Sequence, residues 1–184
     1  MKAIGTPIDF LGMNYYSRNV MEAGPDGKPE AVKPVPSQEL TDMEWEVFPE
    51  GLYDGLMRIH KDYKPRKIFI AENGAAYKYP ADSHGHIADV KRITYFRDHL
   101  LAARRAINEG VPLEGYFAWS LMDNFEWGFG YAKRFGLFAL DYETQHRTPK
   151  DSAFWYRNVA STNAIDDAFT PTDLGEARAL DSQK

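Results

Sequence analysis

The 184-residue chain contains no cysteine, so disulfides and thiolate metal sites are excluded outright. It has no apolar run approaching the roughly 20 residues that a membrane-crossing helix needs. It has no excess of positive charge either: 22 Lys and Arg against 27 Asp and Glu leave a net charge of −5. A nucleic-acid partner, or a membrane surface of anionic lipid, calls for a basic face that this composition does not supply. No repeat of the solenoid kind occurs. The start, Met1-Lys2-Ala3-Ile4-Gly5-Thr6-Pro7, lacks the apolar stretch of a secretory signal, and a cytoplasmic location is expected. Of the five histidines only His84 and His86 lie close together. They sit in a polar stretch, Asp82-Ser83-His84-Gly85-His86, which reads as a solvated loop rather than a metal site. No cofactor is expected.

What is present in quantity is apolar and aromatic. At 43% hydrophobic residues the chain has enough to bury the core of one ordinary domain. Four Trp and eleven Tyr are many for this length. Rings of this kind pack cores, and they also make flat platforms on which sugar rings lie; composition does not separate the two uses.

Three apolar segments, each punctuated by Gly or Pro and ending in polar residues, read as buried strands: Ile8 to Asn14, Lys67 to Ala71 and Gly115 to Trp119. Between them, Leu52, Leu56, Ile59 and Tyr63 recur at helical spacing, with Pro49 near the start and Pro65 just beyond the end. Val90, Ile93, Phe96, Leu100, Ala103 and Ile107 form a second helical row closed by Gly110 and Pro112. A last short helix is expected around Lys150–Val159. Residues 21–39, with two Gly and four Pro among them, read as an irregular excursion. Polar residues 75–86 and the aromatic-rich stretch 122–150 read as loops. The order strand, helix, strand, helix, strand, helix predicts an α/β fold with a parallel sheet. One domain is expected over 1–163, followed by a flexible tail over 164–184.

The chemistry-bearing residues cluster in this pattern. Asn14 and Tyr16, Glu72 and Asn73, Trp119 and Ser120 all lie just past the carboxyl ends of the three strands, the end that carries active sites in parallel α/β architectures. A carboxylate there is costly unless compensated. From the pattern alone, Glu72 is either a functional group or a satisfied strand-end carboxylate capping the next turn.

Ile70-Ala71-Glu72-Asn73-Gly74 resembles the strand that carries the nucleophilic glutamate in glycoside hydrolase family 1, the β-glucosidase family. Phe10 to Tyr16, Thr41-Asp42-Met43-Glu44-Trp45-Glu46, Ala118 to Trp127, Arg134-Phe135-Gly136-Leu137, Asp141-Tyr142 and Arg147 to Lys150 with Ser152 continue the likeness in order. The resemblance implies the carboxyl-terminal portion, strands six to eight, of a (β/α)₈ TIM barrel. It implies a retaining enzyme acting on β-glucosides or related β-glycosides by double displacement. Glu72 would be the nucleophile, with Tyr16 orienting its carboxylate and Asn14 near the sugar 2-hydroxyl. Glu126 and Trp127 would contact sugar hydroxyls, Trp119 would form the platform under the glycone, Phe135 would close the end of the pocket, and Trp45 would stack on the leaving group. By themselves Trp119 and Phe135 read equally as core residues, and Glu126 as a solvated side chain. Tyr16 is preferred over the chemically identical Tyr15 only because the family's tyrosine stands two positions after the asparagine. Glu44 stands where a smaller residue is expected. Trp127 after Glu126 leans towards unphosphorylated sugars.

The family's acid/base glutamate belongs to an Asn-Glu-Pro motif, and that motif does not occur in this sequence. The expectation is therefore an incomplete barrel without strands one to five and without the second carboxylate. Three strands leave two unpaired edges and an apolar face rich in Val, Ile and Phe, so self-association or pairing with a complementary barrel fragment is expected. A non-catalytic fragment that binds sugar or a partner is the alternative.

Overall fold

The computed structural model describes residues 6–33 and 39–165. In chain order they contain β1 (Leu11–Asn14), β2 (Met21–Ala23), β3 (Pro29–Ala31), α1 (Pro49–Tyr63), β4 (Ile68–Asn73), α2 (Val90–Asn108), β5 (Leu113–Ala118), a 3₁₀ turn (Trp127–Phe129), β6 (Phe138–Leu140), β7 (Arg147–Pro149) and α3 (Asp151–Thr162). The expected tail lies outside the described residues except for its first two positions. Two compact units divide the chain, one from Met1–Ala75 with Asp98–Trp119, the other from Ala76–Arg97 with Ser120–Lys184.

The first unit holds a three-stranded sheet in the order β1-β4-β5, parallel throughout. Side chains alternate across a strand, and β4 shows what that alternation does. Ile68 and Ile70 are fully buried in a cluster with Leu52 and Leu56 of α1, Ala103 and Ala106 of α2, Val111 and Tyr15. Phe69 points to the opposite face, where its ring stands 5.3 Å edge-on from Phe10 and 6.5 Å from Phe117. Glycines flank it in the register, Gly12 on one side and Gly115 on the other. A Cβ at Gly115 would come within 2.6 Å of the Phe69 ring, so that glycine makes room for the neighbouring side chain. Phe10 and Phe117 are more than half exposed. The uncovered face is thus made of phenylalanine, and the isoleucines of β4 belong to the helix side.

Helix α1 starts with Pro49 in its first turn and ends where Lys64 turns left-handed (φ 48°), its N–H bonded to the His60 carbonyl. Its apolar row runs Leu52, Leu56, Ile59; Tyr63, expected to continue it, is exposed. In α2 the buried face includes Arg92, Ile93, Phe96, His99, Ala103 and Ala106, while Ile107 is exposed. The apolar row misjudged that face because two of its buried members are polar.

Residues 21–33 of the expected irregular excursion contain regular structure. β2 and β3 pair as an antiparallel hairpin around Gly24-Pro25-Asp26-Gly27, where Gly27 adopts φ 76° and its N–H bonds the Gly24 carbonyl at 2.9 Å. Pro followed by Asp-Gly is turn chemistry, so the same residues that suggested irregularity build the hairpin. Residues 34–38 of that stretch lie outside the described residues. In the expected polar loop 75–86, Ala75, Ala76 and Tyr77 are buried.

In the second unit, the stretch 122–150 holds the short antiparallel pair β6–β7. Arg92 organises this unit's interior. It pairs with Asp89 at 2.7 Å and donates to the carbonyls of Tyr77, Arg134 and Phe135 at 2.8, 2.9 and 3.2 Å. Asp89 in turn accepts from the Ser152 N–H and hydroxyl at 2.8 and 2.6 Å, tying in the start of α3. The buried charge is fully partnered, which is the condition for tolerating it.

Candidate functional site

Glu72 sits at the carboxyl end of β4, beside Asn14 of β1 in the register, at a point where the pairing shifts by one residue. The Tyr16 hydroxyl donates to Glu72 Oε2 at 2.6 Å, the short, charge-assisted kind of hydrogen bond. Tyr15 does something else. Adjacent residues leave an extended chain on opposite sides, so Tyr15 points into the core, 8% exposed, with its hydroxyl on the Phe48 carbonyl at 2.6 Å. Burial pushes the Tyr15 hydroxyl up to about 12, opposed by the Arg18 charge.

The main chain around Glu72 is held from both sides. The Tyr15 N–H bonds the Glu72 carbonyl at 2.9 Å, and the Trp119 N–H bonds the Asn73 carbonyl at 2.8 Å. The fully buried Asn73 side chain donates to the Tyr15 carbonyl at 2.7 Å and accepts from the Tyr116 hydroxyl. One amide therefore joins the ends of β1, β4 and β5. Gly74 follows because the chain passes so close to β5 that a Cβ would overlap the Trp119 carbonyl oxygen. Sequence reasoning located Asn73 at the strand end but missed this stapling role, along with those of Tyr15 and Tyr116. A polar amide within a buried apolar strand was the available signal.

Trp45 lies on the same unit, its ring 5.4 Å from that of Tyr16. Trp119 is half-buried just past β5. Glu72, Tyr16, Asn14, Trp45 and Trp119 thus belong to one unit.

Glu126, Trp127 and Phe135 belong to the other. Glu126 accepts from the Asn124 amide at 2.9 Å, and its backbone N–H bonds the Gly130 carbonyl at 2.7 Å. Trp127, left-handed at φ 42°, is 82% exposed. Phe135 is 1% exposed, so its ring offers this chain's surface nothing. The loop bearing Glu126 is anchored by a residue that sequence reasoning passed over. Buried Asp123 accepts from Lys150 Nζ and the Gly136 N–H, both at 2.9 Å, and from Arg134 at 3.3 Å. Burial, reinforced by the Arg92 charge and opposed by Asp123, pulls the Lys150 ammonium down to about 8. Among the described residues, no group of three or more His, Asp or Glu is placed to hold a metal ion, and no helix is long and apolar enough to cross a membrane.

The model of the family described as "Glycosyl hydrolase family 1" matches residues 1–165. The chain belongs to glycosyl hydrolase family 1. Beta-glucosidase A of Thermotoga maritima is 44% identical over 167 residues, covering 91% of this chain and 37% of that protein. A 6-phospho-beta-galactosidase of Staphylococcus aureus is 44% identical over 179 residues, covering 85% and 38%. The structure of the Thermotoga maritima beta-glucosidase in complex with glucoimidazole superimposes with a TM-score of 0.86 at 45% identity, over 89% of this chain and 37% of that one. The family 1 chain described here therefore spans well under half the length of these relatives. Its parallel strands and helices fit part of a TIM barrel.

Proposed function

We propose that this chain carries the nucleophile side of a retaining β-glucosidase, on strands six to eight of the family's barrel. The observation that carries the reading is the 2.6 Å hydrogen bond from Tyr16 to Glu72 at the carboxyl edge of a parallel sheet, where barrel enzymes do their chemistry. An oxygen of the Glu72 carboxylate bonds to the anomeric carbon as the bond from that carbon to the leaving oxygen breaks. The leaving oxygen takes the electron pair and a proton from a second carboxyl group. Water then adds at the anomeric carbon, returns a proton to that group and frees Glu72. Retaining enzymes hold the two carboxyls about 5–5.5 Å apart. The second one is assigned to the part of the family's barrel that this sequence does not span.

Tyr16 orients the Glu72 carboxylate, and Asn14 is assigned to the sugar 2-hydroxyl. Trp119 is the glycone platform and Trp45 stacks on the leaving group. Glu126 and Trp127 contact sugar hydroxyls. Burial argues against any direct contact from Phe135. Equal identity to the glucosidase and the phospho-galactosidase leaves the glycone to local chemistry, and Trp127 after Glu126 favours an unphosphorylated glucoside.

A second reading, that the chain works with a complementary barrel fragment or a second copy, is favoured by the exposed rings of Phe10 and Phe117 beside Phe69. Exposed apolar surface of this kind marks an interaction face.

The test is covalent labelling of the purified chain by a 2-deoxy-2-fluoro β-glucoside with a good leaving group, read by peptide mass spectrometry. Such a leaving group needs little protonation. Label on Glu72, absent in Glu72→Gln and slowed at least tenfold in Tyr16→Phe, is the expected result. Labelling only after the remaining barrel strands are added supports the complementation reading. No label under either condition overturns the catalytic reading and leaves a sugar-binding fragment.

A further inference from the structure

Tyr16, the donor to Glu72, stands beyond the end of the sheet that carries Glu72. The β1–β4 register stops at Asn14 opposite Glu72. One more main-chain bond, from the Tyr15 N–H to the Glu72 carbonyl, closes the ladder. Past that point strand pairing no longer dictates where the chain goes. We infer that the ion pair of Arg18 with Glu46 is a positioning device that holds the Tyr16 hydroxyl on the Glu72 carboxylate; the inference rests on the reading of Glu72 as nucleophile.

The residues around Tyr16 are tied to one short segment, 46–48. On one side of it, the Tyr15 hydroxyl donates to the Phe48 carbonyl at 2.6 Å. On the other, the Ser17 hydroxyl donates to the Glu46 carbonyl at 2.9 Å. Arg18 then donates to both oxygens of the Glu46 carboxylate, Nε to Oε2 at 2.7 Å and Nη2 to Oε1 at 2.9 Å. Its guanidinium lies 3.6 Å over the Phe48 ring. A planar fork on a carboxylate fixes direction as well as distance. Glu46 is 7% exposed, and a carboxylate held away from water needs such a partner.

The segment at the far end of these bonds is itself anchored. Leu40 and Glu46 form an antiparallel bridge, and the Val47 N–H bonds the Glu39 carbonyl at 2.9 Å. Pro49 then opens α1, whose Leu52 and Leu56 are fully buried. Support thus passes from the packed face of α1 through Phe48 and Glu46 to the chain on both sides of Tyr16. The Trp45 ring, 5.4 Å from that of Tyr16, bounds the tyrosine on one side. Such support matters because moving an orienting group by about 1 Å costs on the order of 10²-fold in rate.

The test uses the purified chain with its tyrosines isotope-labelled at Cζ, the ring carbon that bears the hydroxyl. The NMR signal of that carbon reports what the hydroxyl donates to. Tyr16→Phe assigns the Tyr16 signal, and Glu72→Gln shows where it goes when the charged acceptor is lost. In Glu46→Gln the Tyr16 signal is expected to move from its parent position towards that of Glu72→Gln. Arg18→Lys keeps a charge opposite Glu46 but not the fork, so it folds and moves the signal the same way by less. Arg105→Met is the control. It breaks a two-pronged pair with Glu50 in the same unit, at 2.7 and 3.0 Å, and uncovers the Tyr53 ring; it moves the Tyr53 signal and leaves that of Tyr16 in place.

A Tyr16 signal that keeps its parent position in Glu46→Gln and Arg18→Lys, whatever their melting temperatures, overturns the inference. So does a Tyr16 signal that ignores Glu72→Gln. Labelling of Glu72 by the fluoro-glucoside in the same preparations separates the two readings. Where label forms, Glu46→Gln slows it, and adding Glu46→Gln to Tyr16→Phe slows it no further, because the two act as one unit. Label on Glu72 with an unmoved Tyr16 signal sinks the positioning device alone, whereas a moved signal without label keeps the device and removes the nucleophile.

Discussion

The side-chain amide of Asn73 donates to the backbone carbonyl of Tyr15, 58 residues earlier, at 2.7 Å. With Tyr116 on its other end, that contact fixes the strand end from which Glu72 projects. Asn73→Ala removes both bonds, and stripping the buried amide donor from the Tyr15 carbonyl alone costs about 1–3 kcal/mol. We expect a loss of at least that size, read as a lower urea midpoint. Asn73→Asp keeps the acceptor for Tyr116 but loses the donor, and falls between the two.

Gly74→Ala is expected to be more damaging than its size suggests. The added methyl meets a backbone oxygen of β5, which cannot swing aside as a side chain can. The sheet must open at the site or the chain must fail to fold, and soluble yield together with thermal melting measures which. Gly128→Ala is the control, since nothing lies within 4 Å of its added carbon; its stability should stay within about 0.5 kcal/mol of the parent.

The Lys150 ammonium, held down to about 8 mainly by burial, predicts a pH dependence of stability. Between that value and the ordinary lysine range the unfolded chain binds a proton that the folded chain has released. The unfolding free energy contributed by this group therefore rises with pH through that window, and below about 8 the penalty is present in full. The slope should be absent in Lys150→Met, measured as urea midpoints at three pH values spanning the window. Asp123→Asn acts in the opposite sense at neutral pH. It leaves the buried ammonium facing neutral acceptors, the new amide oxygen and the Gly136 carbonyl at 2.6 Å, without its paired charge, and should cost about 3–5 kcal/mol.

Phe117, 59% exposed on the open sheet face, is expected to drive association. Sedimentation of the parent chain should show concentration-dependent species. Phe117→Lys should shift them towards monomer with little change in melting temperature, because the ring it replaces is not buried in the chain's own core. Sedimentation that is unchanged by this substitution would move the interface elsewhere.

Strand and helix order was legible in the chain because hydrophobic periodicity is a local property. α1, β4 and α2 stand within a few residues of where the spacing of Leu, Ile and Phe put them, and α3 starts where Thr148-Pro149-Lys150-Asp151 offered helix-starting residues. Family membership was legible too, since Ile70 to Gly74 and Ala118 to Trp127 are ordered motifs. The hairpin at residues 21–31 was readable in Pro25-Asp26-Gly27 but was mistaken for irregular chain, because Pro and Gly mark turns and disorder alike.

Tertiary structure alone decided the rest. Tyr15 and Tyr16 are chemically identical, and only strand alternation sends one to the core and the other to Glu72. Arg92 and His99 are polar, so no hydrophobic pattern announces that the fold buries them; their burial is set by partners and packing brought from other elements. Asn73 gains its role from Tyr15 and Tyr116, residues 58 and 43 positions away. Such contacts depend on how parallel strands are brought side by side, and a one-dimensional spacing does not contain that distance.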